Sequence, residues 1–347
     1  MTDGREINEN EELSKMLGVT MRFTGFLAGV VLGAVIAAPA SAYKVGLVFD
    51  VGGRGDKSFN DSAFRGLEKA RRELSVDVEY IEPSETSDRE SALRQFASGS
   101  CDLVIGVGFI FTDDINRVAK AFPNKLFAGV DYSVTPGKEP PANVIALKFR
   151  EQESSFLGGV IAAMSSKSKV IGFIGGMDTP IIHKFEAGYR AGAHWAVPQI
   201  KILSAYAGVT PEAFRDPSKG KELALSQIGQ GADVIHHASG STGLGVFEAA
   251  RDKKILAIGV DSDQYLDAPG FVLTSVTKQI DTAVFNTVKS AMAGKARKGV
   301  IELGLKDKGV DYVYDAHNKS LVTVSAHAKA EEARALIIAG KIKVPTQ

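Results

Sequence analysis

Two segments of this sequence place a phenylalanine and an acidic side chain in the same order after an apolar run. VGLVFDVGGRGDKSFNDSAFRG occupies residues 45–66, and IGFIGGMDTPIIHKFEAGYRAG occupies residues 171–192. In each, a loop containing glycine leads to a basic residue and then to a phenylalanine, so Phe59 and Phe185 hold matching positions. Two such loops facing each other could hold a flat heterocycle by stacking. The alternative interpretation, that each ring is the first core residue of its helix, fits the periodicity equally well.

The elements that would carry these loops alternate regularly from Tyr43 onward. Short apolar runs such as KVGLVF (44–49) predict strands covered on both faces, and amphipathic stretches between them predict helices. The proline-rich segment PGKEPP (136–141) is typical of a linker, and the alternation restarts at Lys169. This pattern predicts an α/β fold with two similarly built parallel sheets. In such sheets ligands bind beyond the carboxyl ends of the strands, where both phenylalanine loops lie.

Composition excludes several classes of protein. The 347 residues include 41 Lys+Arg and 41 Asp+Glu, so no basic excess is available for binding nucleic acid. Hydrophobic residues make up 44% and charged residues 24%, which is typical of a globular protein and excludes a disordered chain or a polytopic membrane protein. The single cysteine, Cys101, excludes a disulfide framework and a cysteine-based structural zinc site.

Each motif that resembles a catalytic or metal-binding site lacks a residue or a geometry that such a site requires. GGRGDKS (52–58) resembles a phosphate-binding loop, but Asp56 stands where that loop needs glycine before lysine. His236 and His237 are adjacent on a predicted strand and therefore point to opposite faces, so they cannot chelate one metal ion. No Ser-His-Asp or G-x-S-x-G context is present. We therefore expect no catalytic residue, no metal site and no cofactor.

The N-terminal segment has the pattern of a targeting sequence. Residues 1–20 are polar, which predicts a non-native or disordered leader, and residues 21–42 combine Arg22, an apolar run and the small residues ASA (40–42). This order predicts a cleaved signal peptide. A transmembrane anchor is the alternative, but the apolar run is shorter than the ~20 residues needed to span a bilayer. Because no cysteine lies near the cleavage point, we expect a periplasmic protein that is not a lipoprotein.

Several linked motifs resemble one known family. DVGGRGDKSFNDSAFRGLEKA, GVGFIFTDDI, FAGVDY, GMDTPIIHKFEAGYRAG, HHASGSTGLGVFEAA and AIGVDSDQ are similar, in this order, to motifs of the basic membrane protein family of solute-binding proteins. Its members include the purine nucleoside receptor lipoproteins of ABC importers. The resemblance implies a type I periplasmic-binding-protein fold, with two Rossmann-like lobes joined by a multi-strand hinge. The first lobe would comprise residues 43–147 plus 278–347, and the second residues 148–277.

The resemblance also implies a function and partners. A monomer would bind a purine nucleoside (guanosine, inosine or adenosine) between the lobes and deliver it to an ABC permease in the inner membrane. Two alternatives stay open: a binding protein for another flat heterocycle such as a flavin, and a periplasmic nucleoside hydrolase. A transcriptional regulator with these lobes would need a DNA-binding motif ahead of Lys44, where the apolar export signal lies instead.

Site residues follow from the same resemblance. Asp50 ends the first strand, and the loop Asp56–Asn60 corresponds to the family's ligand loop, in which Phe59 is one stacking ring. Phe185 is our choice for the second ring, with Phe214 as the other candidate. We therefore expect Asp50, Asp56, Phe59 and Asn60 to face the ligand from the first lobe.

The remaining expected site residues stand near the ends of later strands. Asp131 and Asp261 each follow an apolar run, where a carboxylate could accept hydrogen bonds from ribose hydroxyls or ring N–H groups. The alternative for each is a helix N-cap. Gly240 would let the backbone approach the ligand, and Lys278 could donate to the sugar or pair with a carboxylate.

Overall fold

The computed structural model describes Met1, residues 42–83 and residues 86–347. Its strands are β1 (Lys44–Val48), β2 (Asp77–Ile81), β3 (Leu103–Val107), β4 (Leu126–Val130), β5 (Val144–Phe149), β6 (Val170–Met177), β7 (Lys201–Gly208), β8 (Val234–Ala238), β9 (Leu256–Asp261), β10 (Val272–Lys278), β11 (Gly299–Leu303) and β12 (Val310–Tyr312). Its α-helices are α1 (Phe59–Leu74), α2 (Arg89–Ser98), α3 (Thr112–Ala121), α4 (Glu151–Ser165), α5 (Pro180–Ala196), α6 (Pro217–Gly229), α7 (Gly243–Lys253), α8 (Ile280–Met292) and α9 (Val324–Ile338).

The strands form two six-stranded sheets. The first has the order β11-β5-β4-β3-β1-β2, and all of its strand pairs are parallel. The second has the order β12-β10-β9-β8-β6-β7 and is parallel except for the edge strand β12. Each sheet with its helices forms one lobe, and in each lobe the strand order places the carboxyl ends of the central strands along one edge.

Burial follows the sequence pattern from which these elements are predicted. Every residue of β3 and of β8 is buried, as expected for strands that helices cover on both faces. Helix α1 buries Ala63, Leu67 and Ala70, which recur three or four residues apart and so lie on one side of the helix. The alternating apolar periods therefore specify the layers of each lobe.

Three connections join the lobes. β5 leads through Arg150 into α4, which packs on α5 and α9, and β10 leads through Gln279 into α8, which packs on α1. The third connection runs from β11 to β12. Glu153 ties two of these connections together, because its carboxylate accepts hydrogen bonds from Leu305 N (2.8 Å) and Arg150 Nη1 (3.3 Å).

The C-terminal lobe boundary differs from the predicted one. The resemblance implies that residues 278–347 belong to the first lobe, but β12 pairs antiparallel with β10 in the second sheet and α9 packs on α4. Tyr312 and Val310 are buried in this position, so β12 covers the edge beside β10. A strand of only three residues carries too little apolar pattern to be predicted, so the third connection has no clear signal in the sequence.

The predicted leader and signal peptide cannot be compared with the structure. Apart from Met1 and Ala42, residues 1–42 lie outside the described residues. Among the residues that are described, no helix has both the length and the apolar character needed to cross a membrane.

Candidate functional site

A single cleft between the lobes collects the expected site residues. All nine expected residues and the alternative ring line it: Asp50, Asp56, Phe59, Asn60, Asp131, Phe185, Phe214, Gly240, Asp261 and Lys278. The cleft therefore joins residues that are up to 228 positions apart in the chain (50 to 278).

Asp56 and Asn60 shape the first loop from within. The Asp56 carboxylate accepts hydrogen bonds from the backbone N–H groups of Ser58 (3.0 Å), Asn60 (2.8 Å) and Asp61 (3.1 Å) and from Asn60 Nδ2 (3.1 Å). Asn60 Oδ1 in turn accepts from Asp50 N (3.1 Å). Burial raises the pKa of Asp56 to about 6, while these backbone donors oppose the shift. Both oxygens of Asp56 are committed inside the protein, so it organises the start of α1 instead of presenting a free carboxylate.

Asp50 has one carboxylate oxygen, Oδ2, that accepts no hydrogen bond from any described residue. Its Oδ1 accepts from Val51 N at 2.6 Å, and its Oδ2 faces Gly108 on the next strand loop. A Cβ atom at Gly108, where φ is +113°, would lie 2.4 Å from Asp50 Oδ2, so only glycine leaves room for the carboxylate. Burial raises the pKa of Asp50 to about 7, and the neighbouring carboxylates Asp56 and Asp131 add to the shift.

Asp131 and Asp261 occupy equivalent positions in the two lobes. Each follows or ends the strand that lies beside its sheet's inter-lobe strand, and each has a left-handed backbone, with φ of +60° and +62°. Asp131 Oδ2 accepts from Lys278 Nζ (2.6 Å), and Asp261 Oδ2 accepts from Ser58 Oγ (2.8 Å). Their carboxylates contact side chains, not a helix N-terminus. In both residues the second oxygen, Oδ1, is buried and accepts no hydrogen bond within the described residues.

Lys278 is the cation at the centre of the cleft. Its side chain is 4% exposed, and its Nζ lies 3.7 Å from both Asp261 Oδ1 and Glu151 Oε1 in addition to its bond to Asp131. Burial lowers the pKa of Lys278, but the three carboxylates outweigh burial and raise it above its usual value. The ammonium group also lies 4.9 Å from the ring centroid of Phe59 and 5.6 Å from that of Phe185.

Glu151 and Lys184 belong to this charge cluster and are absent from the sequence-predicted site. Glu151 begins α4 directly after the first lobe connection, and its Oε2 accepts from Lys184 Nζ at 3.0 Å. Burial raises the pKa of Glu151, whereas both lysines oppose the shift. The sequence contains one signal for Glu151, because this residue follows the end of a predicted strand as Asp131 does. The Lys184 partner comes from a different helix and has no local signal.

The three phenylalanine rings differ in exposure. Phe59 is the first residue of α1 and keeps a partly exposed ring, and Phe214 is likewise partly exposed. Phe185 is only 4% exposed and packs in the main hydrophobic core. A stacking ring needs a free face, so exposure favours Phe214 over Phe185 as the partner of Phe59 from the second lobe.

Gly240 lines the cleft and also makes room for a neighbouring segment of the protein. A Cβ atom at this position, where φ is +56°, would lie 2.9 Å from the carbonyl oxygen of Phe214. The glycine therefore lets the segment that carries Phe214 pack against the loop after β8. This close approach places the Phe214 backbone against the loop after β8, and the Phe214 side chain lines the cleft.

A group of side chains outside the cleft has the spacing of metal ligands. Donor atoms of Asp263, Asp315 and His317 lie within 4.8 Å of one another among the described residues. All three side chains are exposed, and exposed acidic groups often cluster without an ion. We assign no metal site to them.

Comparison with known proteins identifies relatives across nearly the whole described chain. The family model described as "Bmp: ABC transporter substrate-binding protein PnrA-like" matches residues 43–347. A Pyrococcus abyssi protein named an uncharacterized lipoprotein is 36% identical over 318 residues, covering 86% of this chain and 77% of the relative. The "ABC transporter nucleoside-binding protein BmpA" of Lactococcus lactis is 34% identical over 326 residues, covering 88% of this chain and 89% of the relative.

The fold is confirmed by solved structures. An ABC transporter solute-binding protein from Aeropyrum pernix K1 superposes with a TM-score of 0.81 at 29% identity, covering 88% of this chain and 94% of that one. The two sheets of mostly parallel strands are those of the type I periplasmic-binding fold, as the sequence predicts.

The predicted localisation is wrong on one point. We expected a periplasmic protein that is not a lipoprotein, but the Pyrococcus abyssi relative and two further Pyrococcus relatives, 40% and 36% identical, are named lipoproteins. The lack of a cysteine near the predicted cleavage point bears only on lipid attachment at a processed N-terminal cysteine, and it does not outweigh the naming of these relatives.

Substrate-binding proteins of ABC transporters are not enzymes: they bind a solute and work with a permease. The match over residues 43–347 and the relatives above one-third identity show the family. This chain belongs to the Bmp family of ABC transporter substrate-binding proteins.

Proposed function

We propose that this protein binds a purine nucleoside, such as guanosine, inosine or adenosine, between its lobes and delivers it to the membrane permease. One observation carries the proposal. Aromatic rings from both lobes lie beside buried carboxylate oxygens that accept no hydrogen bond within the described residues. A ligand that fits such a cleft has a flat apolar face and several hydrogen-bond donors, and a nucleoside has both.

The base would stack between rings from the two lobes. Phe59 lies on the first lobe, and Phe214 on the second, where its ring is partly exposed toward the cleft. An aromatic pair in such an arrangement contributes about 0.5–1.5 kcal/mol beyond the area that it buries. Asp50 Oδ2 would accept a hydrogen bond from an N–H group at the edge of the base. No described residue donates to this oxygen.

The sugar would donate to the carboxylates around Lys278. Within the described residues no hydrogen-bond donor reaches Asp131 Oδ1 or Asp261 Oδ1, although both atoms are buried, and leaving a buried acceptor unpaired costs about 1–3 kcal/mol. Ribose hydroxyls satisfy such acceptors, and Lys278 can donate to a ribose oxygen in return. This pairing supports a nucleoside over a free base.

The charge of the cleft favours an uncharged ligand. Asp50, Asp131 and Asp261 face the cleft, and among the described residues that line it Lys278 is the cation. A phosphate group would meet these carboxylates in a site of low dielectric constant, where repulsion between like charges is strong. We therefore infer that the protein selects nucleosides over nucleotides.

Transport requires the lobes to open and close around the ligand. The three connections between the lobes form the hinge, and closure would desolvate the ligand between the rings and the carboxylates. We infer that the closed monomer is the form that the permease recognises. The Lactococcus lactis relative, which is named a nucleoside-binding protein, supports the same ligand class.

Native mass spectrometry of the purified protein tests this proposal. A bound mass equal to that of a purine nucleoside is the expected result, and a bound flavin or other heterocycle would overturn it. Incubation with guanosine or inosine, followed by chromatography, separates binding from hydrolysis. Unchanged nucleoside is expected, because a hydrolase would release the free base.

A further inference from the structure

The serine that precedes α1 reaches across from the first lobe to the second. Ser58 is completely buried, and its Oγ lies 2.8 Å from Asp261 Oδ2 and 3.2 Å from the carbonyl oxygen of Val260. In the opposite direction, Ser262 Oγ donates to the carbonyl oxygen of Ser58 at 3.1 Å. Ser58 therefore exchanges hydrogen bonds with the segment that carries one of the proposed ligand-binding carboxylates.

The contact controls how Asp261 is presented. Asp261 has a φ of +62°, a backbone conformation that its surroundings must hold in place. With Oδ2 held by Ser58, the atom left for the cleft is Oδ1, which lies 3.7 Å from Lys278 Nζ and accepts no hydrogen bond within the described residues. Turning the carboxylate away from this orientation would break the hydrogen bond from Ser58.

Ser58 is itself held rigidly on the first lobe. Its backbone N–H donates to Asp56 Oδ1 at 3.0 Å, and Asp56 also accepts from the N–H groups of the first turn of α1. Asp56 thus acts on the cleft through the loop that it fixes. This chain of contacts explains why a carboxylate with no free oxygen lies at the cleft.

Two further contacts join the same segments of the two lobes. Arg65 Nη2 donates to Ser262 Oγ at 2.8 Å, and Lys57 Nζ pairs with Asp267 Oδ1 at 2.7 Å. All of these bonds connect residues of different lobes, so they exist only while the two segments are in contact. A lobe separation would remove the donor that holds Asp261 Oδ2.

We propose that Ser58 is a positioning residue, which orients Asp261 toward the ligand and completes the second-lobe half of the site only when the lobes meet. This inference rests on the proposed nucleoside function. It predicts that the contact slows ligand release, because it forms on closure, and that it has little effect on the first encounter with the open cleft.

The test compares Ser58→Ala with Ser62→Ala by surface plasmon resonance, using guanosine, inosine and adenosine as the probes. Ser62 lies one turn further along α1 and is also buried, but its Oγ accepts from Asp281 N within the first lobe. Ser58→Ala should raise the dissociation rate about ten- to hundredfold and change the association rate less than about threefold. Ser62→Ala should leave the dissociation rate within about threefold of wild type.

A double-mutant comparison separates positioning from general damage to the fold. In an Asp261→Ala background, Ser58→Ala should add less than about threefold to the dissociation rate, because no carboxylate is left to orient. A full additive effect there, or a wild-type dissociation rate for Ser58→Ala alone, would overturn the inference while leaving nucleoside binding intact. Wild-type protein that binds none of the three nucleosides would overturn the proposed function, and this inference with it.

Discussion

Replacing Lys278 by methionine removes the cation from a buried cluster of three carboxylates. Asp131, Glu151 and Asp261 all lie within 3.7 Å of its Nζ, and Lys184, bound to Glu151, is the other lysine in the cluster. Removing one partner of a buried ion pair costs about 3–5 kcal/mol, because the remaining charge is left uncompensated. We expect Lys278→Met to lower the free energy of unfolding by about this amount at pH 8.

The loss should depend on pH in a definite direction. The folded-state pKa of Lys278 lies above its usual value, so its stabilising contribution is fully present below the unfolded pKa and is lost only as the pH rises through the folded one. In the variant, burial already raises the pKa of the three carboxylates, and loss of the lysine raises it further. The folded variant therefore takes up protons as the pH falls, and part of its lost stability should return at pH 5.

Urea unfolding followed by circular dichroism at pH 5 and pH 8 measures both effects. Lys219→Met is the matched control, since Lys219 pairs with Glu222 at 2.9 Å on the surface, where such pairs contribute about 0–1 kcal/mol. The account is refuted if Lys278→Met is no more destabilising than the control, or if its deficit is the same at both pH values.

Three further predictions concern the ligand. Asp261→Ala should weaken nucleoside binding at least tenfold, equivalent to about 1.4 kcal/mol, and an unchanged dissociation constant in calorimetry would remove this residue from the site. Phe214→Ala should weaken nucleoside binding with little effect on the urea midpoint. Phe185→Ala should instead lower the free energy of unfolding by about 3–5 kcal/mol, because its ring is in the core. If Phe185→Ala weakens binding and Phe214→Ala does not, Phe185 is the stacking ring. Affinity for guanosine should rise between pH 6 and pH 8, because a ligand N–H group binds the ionised form of Asp50, whose pKa is about 7. Asp50→Asn should abolish this pH dependence of the affinity. If the pH dependence persists in the variant, it belongs to another group.

The sequence is most informative about residues that stand at strand ends. Asp50, Asp131 and Asp261 follow strong apolar runs, and parallel sheets bring such positions to one edge, so their meeting at the cleft is predictable. The alternating periods likewise predict the two sheets. The duplicated phenylalanine loops led to Phe59, which lines the cleft with a partly exposed ring.

Long-range packing decides what the sequence could not reveal. Ser58 is unremarkable in the chain, yet it contacts Asp261, 203 positions away. Phe185 matches Phe59 in the repeated pattern, but the second lobe buries it in the core. Asp56 and Gly240 have the residue types of ligand contacts, but they serve the loop and the Phe214 segment. These roles depend on which atoms already have a hydrogen-bond or packing partner in the fold. The spacing of residues along the chain does not show which atoms those are.

The central claim is that the cleft binds an uncharged purine nucleoside. Isothermal titration calorimetry of the wild-type protein with guanosine, inosine and adenosine, each against its 5′-monophosphate, tests it most directly. We predict binding of one nucleoside per chain and weaker binding of the corresponding nucleotide, because the phosphate meets the carboxylates of the cleft. Absence of binding heat with all three nucleosides, or tighter binding of AMP than of adenosine, would contradict the account.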